Sequence, residues 1–157
     1  MAQNGPVHIS AKSDYAVRAL LALAERHPQQ VRGEDLAAAQ DLPRKFLEAI
    51  LGDLRRAGIV RSQRGAVGGF SLLRAPDEVT VGQVLRAVDG PLAEVRGLRP
   101  DQTEYAGVAE HLPTVWVAAR AALREVLDEV TLADVLSGEL PPRVREFAGL
   151  PGAWAPR

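Results

Sequence analysis

DLPRKFLEAILGDLRRAGIVRSQRGAVGGF, residues 41–70, decides how this chain folds. Its first half predicts an amphipathic helix. Leu47, Ile50, Leu51 and Leu54 fall at i, i+3, i+4 and i+7, the spacing of one apolar stripe. Asp41 is a candidate cap near the start, and Pro43 suits a first helical turn, where a missing N–H is no loss. Gly58 then ends the helix as a left-handed residue. Ile59–Gln63 predicts a strand, Arg64–Gly69 a tight turn, and Phe70–Leu73 the returning strand. A helix that runs into a hairpin with a glycine-rich, arginine-bearing tip is the pattern of a helix-turn-helix followed by a wing.

Charge points the same way. Within residues 43–64, Arg44, Lys45, Arg55, Arg56, Arg61 and Arg64 are set against only Glu48 and Asp53. Phosphate contacts need cations at both ends of a reading helix and on its wing. A solvated helix beside an ordinary hairpin would share the apolar pattern, but would have no use for this concentration of positive charge. Among the positions off the apolar stripe, Arg44 and Lys45 can reach phosphates or guanine edges. Glu48 either accepts from a cytosine N4 in the major groove or is turned aside in a pair with Arg44 or Arg55; we expect the first. Arg55 adds charge at the far end of the helix, and Phe46 packs at the groove edge or caps the core. Gly65, Gly68 and Gly69 do not form a phosphate-cradling loop, because a strand follows them instead of a helix. They predict a tight wing tip, with Arg64 and Gly65 placed to enter a minor groove.

At 157 residues, 46% of them apolar, the chain can build a core and carry an oligomerisation element. Its net charge of −1 looks wrong for a nucleic-acid partner, but the two halves differ. Residues 1–75 hold 11 basic and 7 acidic side chains, and residues 76–157 hold 8 and 13. A basic half that meets DNA and an acidic half that does not fit this division. With no cysteine, thiol catalysis, disulfides and thiolate ligation of metal or iron–sulfur groups are excluded. The absence of a long apolar run and of a basic-then-apolar leader leads us to expect a cytoplasmic protein with no membrane partner.

The rest of the chain surrounds the decisive stretch. Residues 1–7 show no periodicity and are expected to be loose. Ser10 or Ser13 can cap a first helix, Ala11–Glu25, with Val17, Leu20, Leu21 and Ala24 as its buried stripe. Lys12 and Tyr15 lie where they can reach a phosphate near that helix's start, although Tyr15 also reads as a core edge. Val31-Arg32 predicts a brief strand that pairs with the wing, and Gly33–Gln40 a short second helix that buries Leu36. Thr80 caps a fourth helix through Val88, stopped by Gly90-Pro91. Residues 92–112 are irregular, with one helical turn expected near Thr103–Glu110. Pro113 opens the longest helix, to Val130. Its apolar band of Trp116, Ala119, Leu123, Val126 and Leu127 is too wide for the head alone and predicts a dimer with two-fold symmetry. Thr131 caps a last short helix, Leu132–Leu136. Residues 139–157 predict an irregular tail with Phe147 and Trp154 as docking points.

Three stretches carry a family resemblance: Ser10–Ala24 (SAKSDYAVRALLALA), Lys45–Phe70 (KFLEAILGDLRRAGIVRSQRGAVGGF) and Val79–Pro91 (VTVGQVLRAVDGP). Trp116 and the later VTLADVL, residues 130–136, extend it. The chain resembles the winged-helix regulators of the IscR, NsrR and CymR type, the Rrf-two family. The resemblance implies a dimeric transcription regulator on an imperfect palindrome, with Lys45, Phe46, Glu48 and Arg64 facing DNA. Two departures stand out. Ala66-Val67 replaces the Pro-Gly usual at the family's wing tip. The cysteine trio by which sensing members hold an iron–sulfur cluster is missing from the equivalent stretch, Ala93–Leu112, so we expect a cluster-free member with no cofactor. His8, His27 and His111 are too scattered for a metal site, while Tyr105, His111 and Trp116 are candidates for lining a small-molecule pocket.

The expected architecture is mostly α with a small β-hairpin wing. A winged helix-turn-helix spans 8–91, a linker 92–112, the dimerisation helix and terminal helix 113–138, and a tail 139–157. The expected function is a homodimeric repressor that binds double-stranded DNA, with its effector unknown. The alternatives are a winged helix acting through a partner protein, or a regulator responding to a small molecule. No carboxylate pair, Ser/His/Asp set or metal cluster suggests an enzyme.

Overall fold

The computed structural model describes residues 8–156, so the expectation of a loose segment at 1–7 lies outside the described residues. Seven α-helices and one hairpin follow in order: α1 Ala11–Glu25, α2 Gly33–Gln40, α3 Arg44–Arg56, β1 Val60–Gln63, β2 Gly69–Leu72, α4 Val81–Asp89, α5 Leu112–Leu127, α6 Leu132–Ser137 and α7 Pro142–Ala148.

α1 is the central helix; α2, α3, α4, α6 and β2 all pack on it. Ser10 caps it, its hydroxyl accepting from the Ser13 N–H at 2.9 Å. The buried side is Ala16, Ala19, Leu20 and Leu23, while Val17 and Leu21 are only half-buried. Of the stripe expected from Val17, Leu20, Leu21 and Ala24, Leu20 and Ala24 are buried, and the buried side extends instead to the flank of Ala16, Ala19 and Leu23. A helix approached from several sides needs small residues around most of its girth, and alanines give little periodicity to read.

The α3 stripe is as the spacing predicts: Leu47, Ile50, Leu51 and Leu54 are each no more than 2% exposed. Removing such a leucine side chain from a core costs about 2–5 kcal/mol. Asp41 is a correction. It does not cap α3 but adopts φ 50 as the left-handed C-cap of α2, and Pro43 is the α3 N-cap without a side-chain bond. Aspartate tolerates this backbone region better than most residues, so it serves a sharp turn between two helices. Gly58 follows α3 at φ 72, as expected.

The hairpin pairs Val60 with Leu72 and Gln63 with Gly69. Val31 adds the anticipated third contact. Its N–H and C=O exchange two 2.8 Å bonds with Phe70, which anchors the wing to the start of α2.

A second joint connects the head to α5. The Val81 N–H donates to the Val130 carbonyl at 2.8 Å, and the Leu132 N–H to the Val79 carbonyl at 3.0 Å. Thr80 and Thr131, on the two sides of this bridge, each close a capping box, with Gln83 and Asp134. Leu132 is fully buried in the same core as α1, so α6 packs with the head. α5 ends at Leu127, short of Val130, because Val130 enters this bridge.

The linker holds two 3-10 turns, Pro100–Gln102 and Gly107–Ala109, so the single turn expected across Thr103–Glu110 is shorter and has a companion. The irregular tail needs a larger correction. Pro142 opens α7, which packs on α5 through a 2.5 Å Arg143–Glu125 ion pair, and Arg143 lies over the Phe147 ring at 4.9 Å. A seven-residue helix has little stability of its own, and tertiary contacts of this kind hold it. Trp154 is 86% exposed and docks only locally, its indole N–H donating to the Ala148 carbonyl at 2.7 Å.

Candidate nucleic-acid interface

With the stripe of α3 buried, helical spacing distributes its other side chains around the axis. Arg44, Glu48 and Arg55 fall along the flank toward the wing. Lys45, Ala49 and Gly52 face away from the core. Phe46 and Asp53 fall along the flank toward α1.

The wing flank is a cleft of about 480 Å³ between α3 and the hairpin, with Arg32, Arg44, Glu48, Gln63, Gly65 and Ala66 among its walls. Arg32 fixes the wing tip by donating to the Ala66 carbonyl at 2.9 Å. Arg55 reaches β1, its guanidinium 3.4 Å from the Ser62 hydroxyl. Arg61 is held against the sheet by Ser71 at 3.1 Å. Arg64 and Lys45 are exposed and make no hydrogen bond or ion pair among the described residues. Gly65 bears φ 112 beside Arg64 at the turn. A Cβ on Gly69 would lie 2.6 Å from the Val31 carbonyl oxygen, so this position admits only glycine where the wing meets the strand bridge.

Glu48 shows the second of its two anticipated arrangements. Its carboxylate lies 3.5 Å from Arg44, with both side chains 68% exposed. A pair this open contributes little stability and exchanges readily for another partner. Phe46 is 61% exposed, so it does not cap the core. Lys12 is engaged with Asp53 at 2.6 Å, and the Lys12 ammonium, followed by Arg56, holds the Asp53 carboxyl below its ordinary value. Tyr15 packs half-buried against the core with Arg18 over its ring at 5.8 Å. These two therefore lie at the edge of the surface. The pair Arg32 and Gln63 was not singled out in the sequence; only the strand bridge and the wing fold bring them to α3.

α5 presents a different surface. None of its 16 residues is buried. Trp116, Ala119, Leu123, Val126 and Leu127 line one open apolar groove of about 850 Å³, joined by Ile9 and by Phe147 of α7. The Trp116 indole N–H donates to the Tyr105 hydroxyl at 3.2 Å, while His111 is exposed and pairs with Glu110, so the three do not enclose a common pocket.

A helix-turn-helix with a wing and an arginine-bearing tip defines a DNA-binding regulator of transcription. The chain belongs to the Rrf2 family: the model of these iron-dependent transcriptional regulators matches residues 9–138. It is 46% identical over 143 residues to the HTH-type regulator Rv1287 of Mycobacterium tuberculosis, covering 90% of this chain and 89% of that protein. The structure of CymR, the global cysteine regulator of Bacillus subtilis, superposes with a TM-score of 0.70 at 33% identity, covering 83% of this chain and 97% of CymR. That of IscR from T. potens superposes with a TM-score of 0.67 at 32% identity, over 84% and 88% of the two chains. These relatives are regulators and not enzymes.

An iron–sulfur cluster does not fit the residues present. The chain supplies no thiolate, and no group of three or more His, Asp or Glu among the described residues is arranged to hold a metal ion. In the linker, Asp101 is engaged by Arg99 and Arg120. No helix among the described residues is long and apolar enough to cross a membrane.

Proposed function

We propose that the protein is a cytoplasmic repressor that occupies an imperfectly palindromic operator as a homodimer and blocks polymerase there. This reading rests on α5, whose apolar band finds no cover among the described residues. An apolar surface of this kind is covered in stable proteins, and a second α5 related by a two-fold axis is self-complementary to it. Phe147 continues the band, so α7 takes part in the dimer as well.

The dimer presents two copies of α3 to successive major grooves, roughly 34 Å apart. Arg44, Lys45, Phe46 and Glu48 sit at the entering end of α3. Lys45 meets phosphate or guanine, and Glu48 leaves Arg44 to accept from cytosine N4. Arg55 neutralises backbone near the wing, and Arg64 beside Gly65 enters the flanking minor groove. Lys12 can exchange Asp53 for a phosphate at the edge of the footprint, with Tyr15 beside it.

The test is an electrophoretic shift with genomic fragments across a range of salt. A preferred sequence and a log–log salt slope of several units support operator binding, since each phosphate contact adds about −0.9. Retention without a sequence preference or a slope overturns it and favours docking on a partner protein. Sedimentation of the free protein at low concentration tests the dimer separately.

A further inference from the structure

Four arginines converge on one cleft away from the wing. Arg86 comes from α4, Arg99 from the loop after it, and Arg120 and Arg124 lie one turn apart on α5. The cleft is about 390 Å³, its opposite wall formed by residues 90–93. Two carboxylates reach these cations. Asp101 accepts from Arg120 at 2.7 Å and from Arg99 at 2.8 Å. Asp128 accepts two bonds of 2.7 Å from Arg86. The Arg124 side chain makes no hydrogen bond or ion pair among the described residues, and its charge acts on Asp128 only through space.

The charge is therefore uneven. Four guanidinium groups face two carboxylates, and guanidinium stays protonated at any physiological pH. This excess of two sits in the half of the chain that is otherwise acidic. Like charges gathered in this way repel, and a bound anion removes the repulsion. The tethers also keep three of the forks oriented, which lowers the ordering cost of a ligand. Arg120 and Arg86 are only 22% and 32% exposed, so their charges are less screened than those of free surface arginines.

We infer that this cleft binds a dianionic oxyanion group, either free phosphate or the phosphate of a small phosphomonoester. Phosphate carries roughly 1.5 to 2 negative charges near neutral pH and several acceptor oxygens, offsetting most of the excess charge and using the donors on offer. The volume admits the group with a small organic moiety against the apolar wall at 90–93. The site lies at the joint between head and dimerisation helix, because Arg86 is the residue that ties Asp128 to α4.

The test is titration of the full-length protein with inorganic phosphate and with glycerol phosphate, followed by calorimetry and by thermal unfolding. Sodium chloride at matched ionic strength is the control. Saturable binding is expected, with a rise in Tm that chloride does not reproduce. Arg124→Gln, at an exposed position whose side chain makes no hydrogen bond or ion pair among the described residues, should change the unliganded Tm little and weaken phosphate at least tenfold. The Arg44→Gln/Arg64→Gln double variant should bind phosphate as the parent does. Tighter binding of the ester than of phosphate assigns a phosphorylated small molecule, and equal binding assigns free phosphate. An effect matched by chloride, equal binding by Arg124→Gln, or loss in the double variant each overturns the site.

Discussion

Arg86 and Asp128 are joined by two parallel hydrogen bonds of 2.7 Å, fork to fork, across the joint between α4 and the end of α5. Beneath them Gly82 leaves the room this requires. A Cβ there would meet Asp128 Oδ1 at 2.0 Å and the Leu127 carbonyl oxygen at 3.1 Å. Gly82→Ala should therefore push α5 from α4 and cost about 1–3 kcal/mol, the range for overpacking a close contact. Urea unfolding measures this, and an unchanged midpoint would show that the joint tolerates the displacement.

The same pair sets a pH dependence. Arg86, through its hydrogen bonds first, holds the Asp128 carboxyl below its ordinary value. A depressed carboxylate contributes stability above its unfolded value, near 3.9, and loses it as pH falls through the folded value. Asp53 and Asp101 are lowered in the same direction, so stability should fall on acidification below about pH 4. Asp128→Asn should be less stable at neutral pH and show a shallower acid limb in thermal unfolding at a series of pH values. A limb as steep as the parent's would remove Asp128 from it.

Arg64→Ala should leave the fold unchanged, because Arg64 is exposed and makes no contact that the wing needs. Operator affinity should fall by roughly 1–3 kcal/mol, about five- to 150-fold, with a smaller salt slope. Fluorescence anisotropy at several salt concentrations measures both. Equal affinity and slope would exclude the wing from the interface.

Glu48→Ala separates specificity from stability. The Arg44–Glu48 pair is 68% exposed on both sides, so its loss should change stability by less than about 0.5 kcal/mol. If Glu48 reads a base, selection from a randomised operator should lose its preference for C·G at one position in each half-site. Retained preference together with tighter overall binding would make Glu48 only a repelling charge.

Leu123→Asp should give monomers. Leu123 lies mid-helix in the apolar groove of α5, and a carboxylate there would be buried unpaired against a second copy. Sedimentation should show the shift while circular dichroism stays native. Trp116→Ala should loosen the dimer less, because it removes apolar area from the groove without burying a charge there.

The head was legible from local signals, because its elements are specified locally. The stripe of α3, the left-handed Gly58, the glycines of the wing and the capping threonines Thr80 and Thr131 each act within a turn or two of themselves. The charged surface followed once α3 was oriented, since burying four residues turns Arg44 and Glu48 to the wing flank and Lys45 to solvent. What only the tertiary structure decided depends on distant partners. Alanine-rich α1 took its buried side from the helices that surround it. α7 formed because Glu125 of α5 holds Arg143. α6 joined the head through the bridge of Val79–Val81 to Val130–Leu132. The arginine cleft gathers side chains from 86 to 124, a separation at which spacing along the chain carries no information about distance in space.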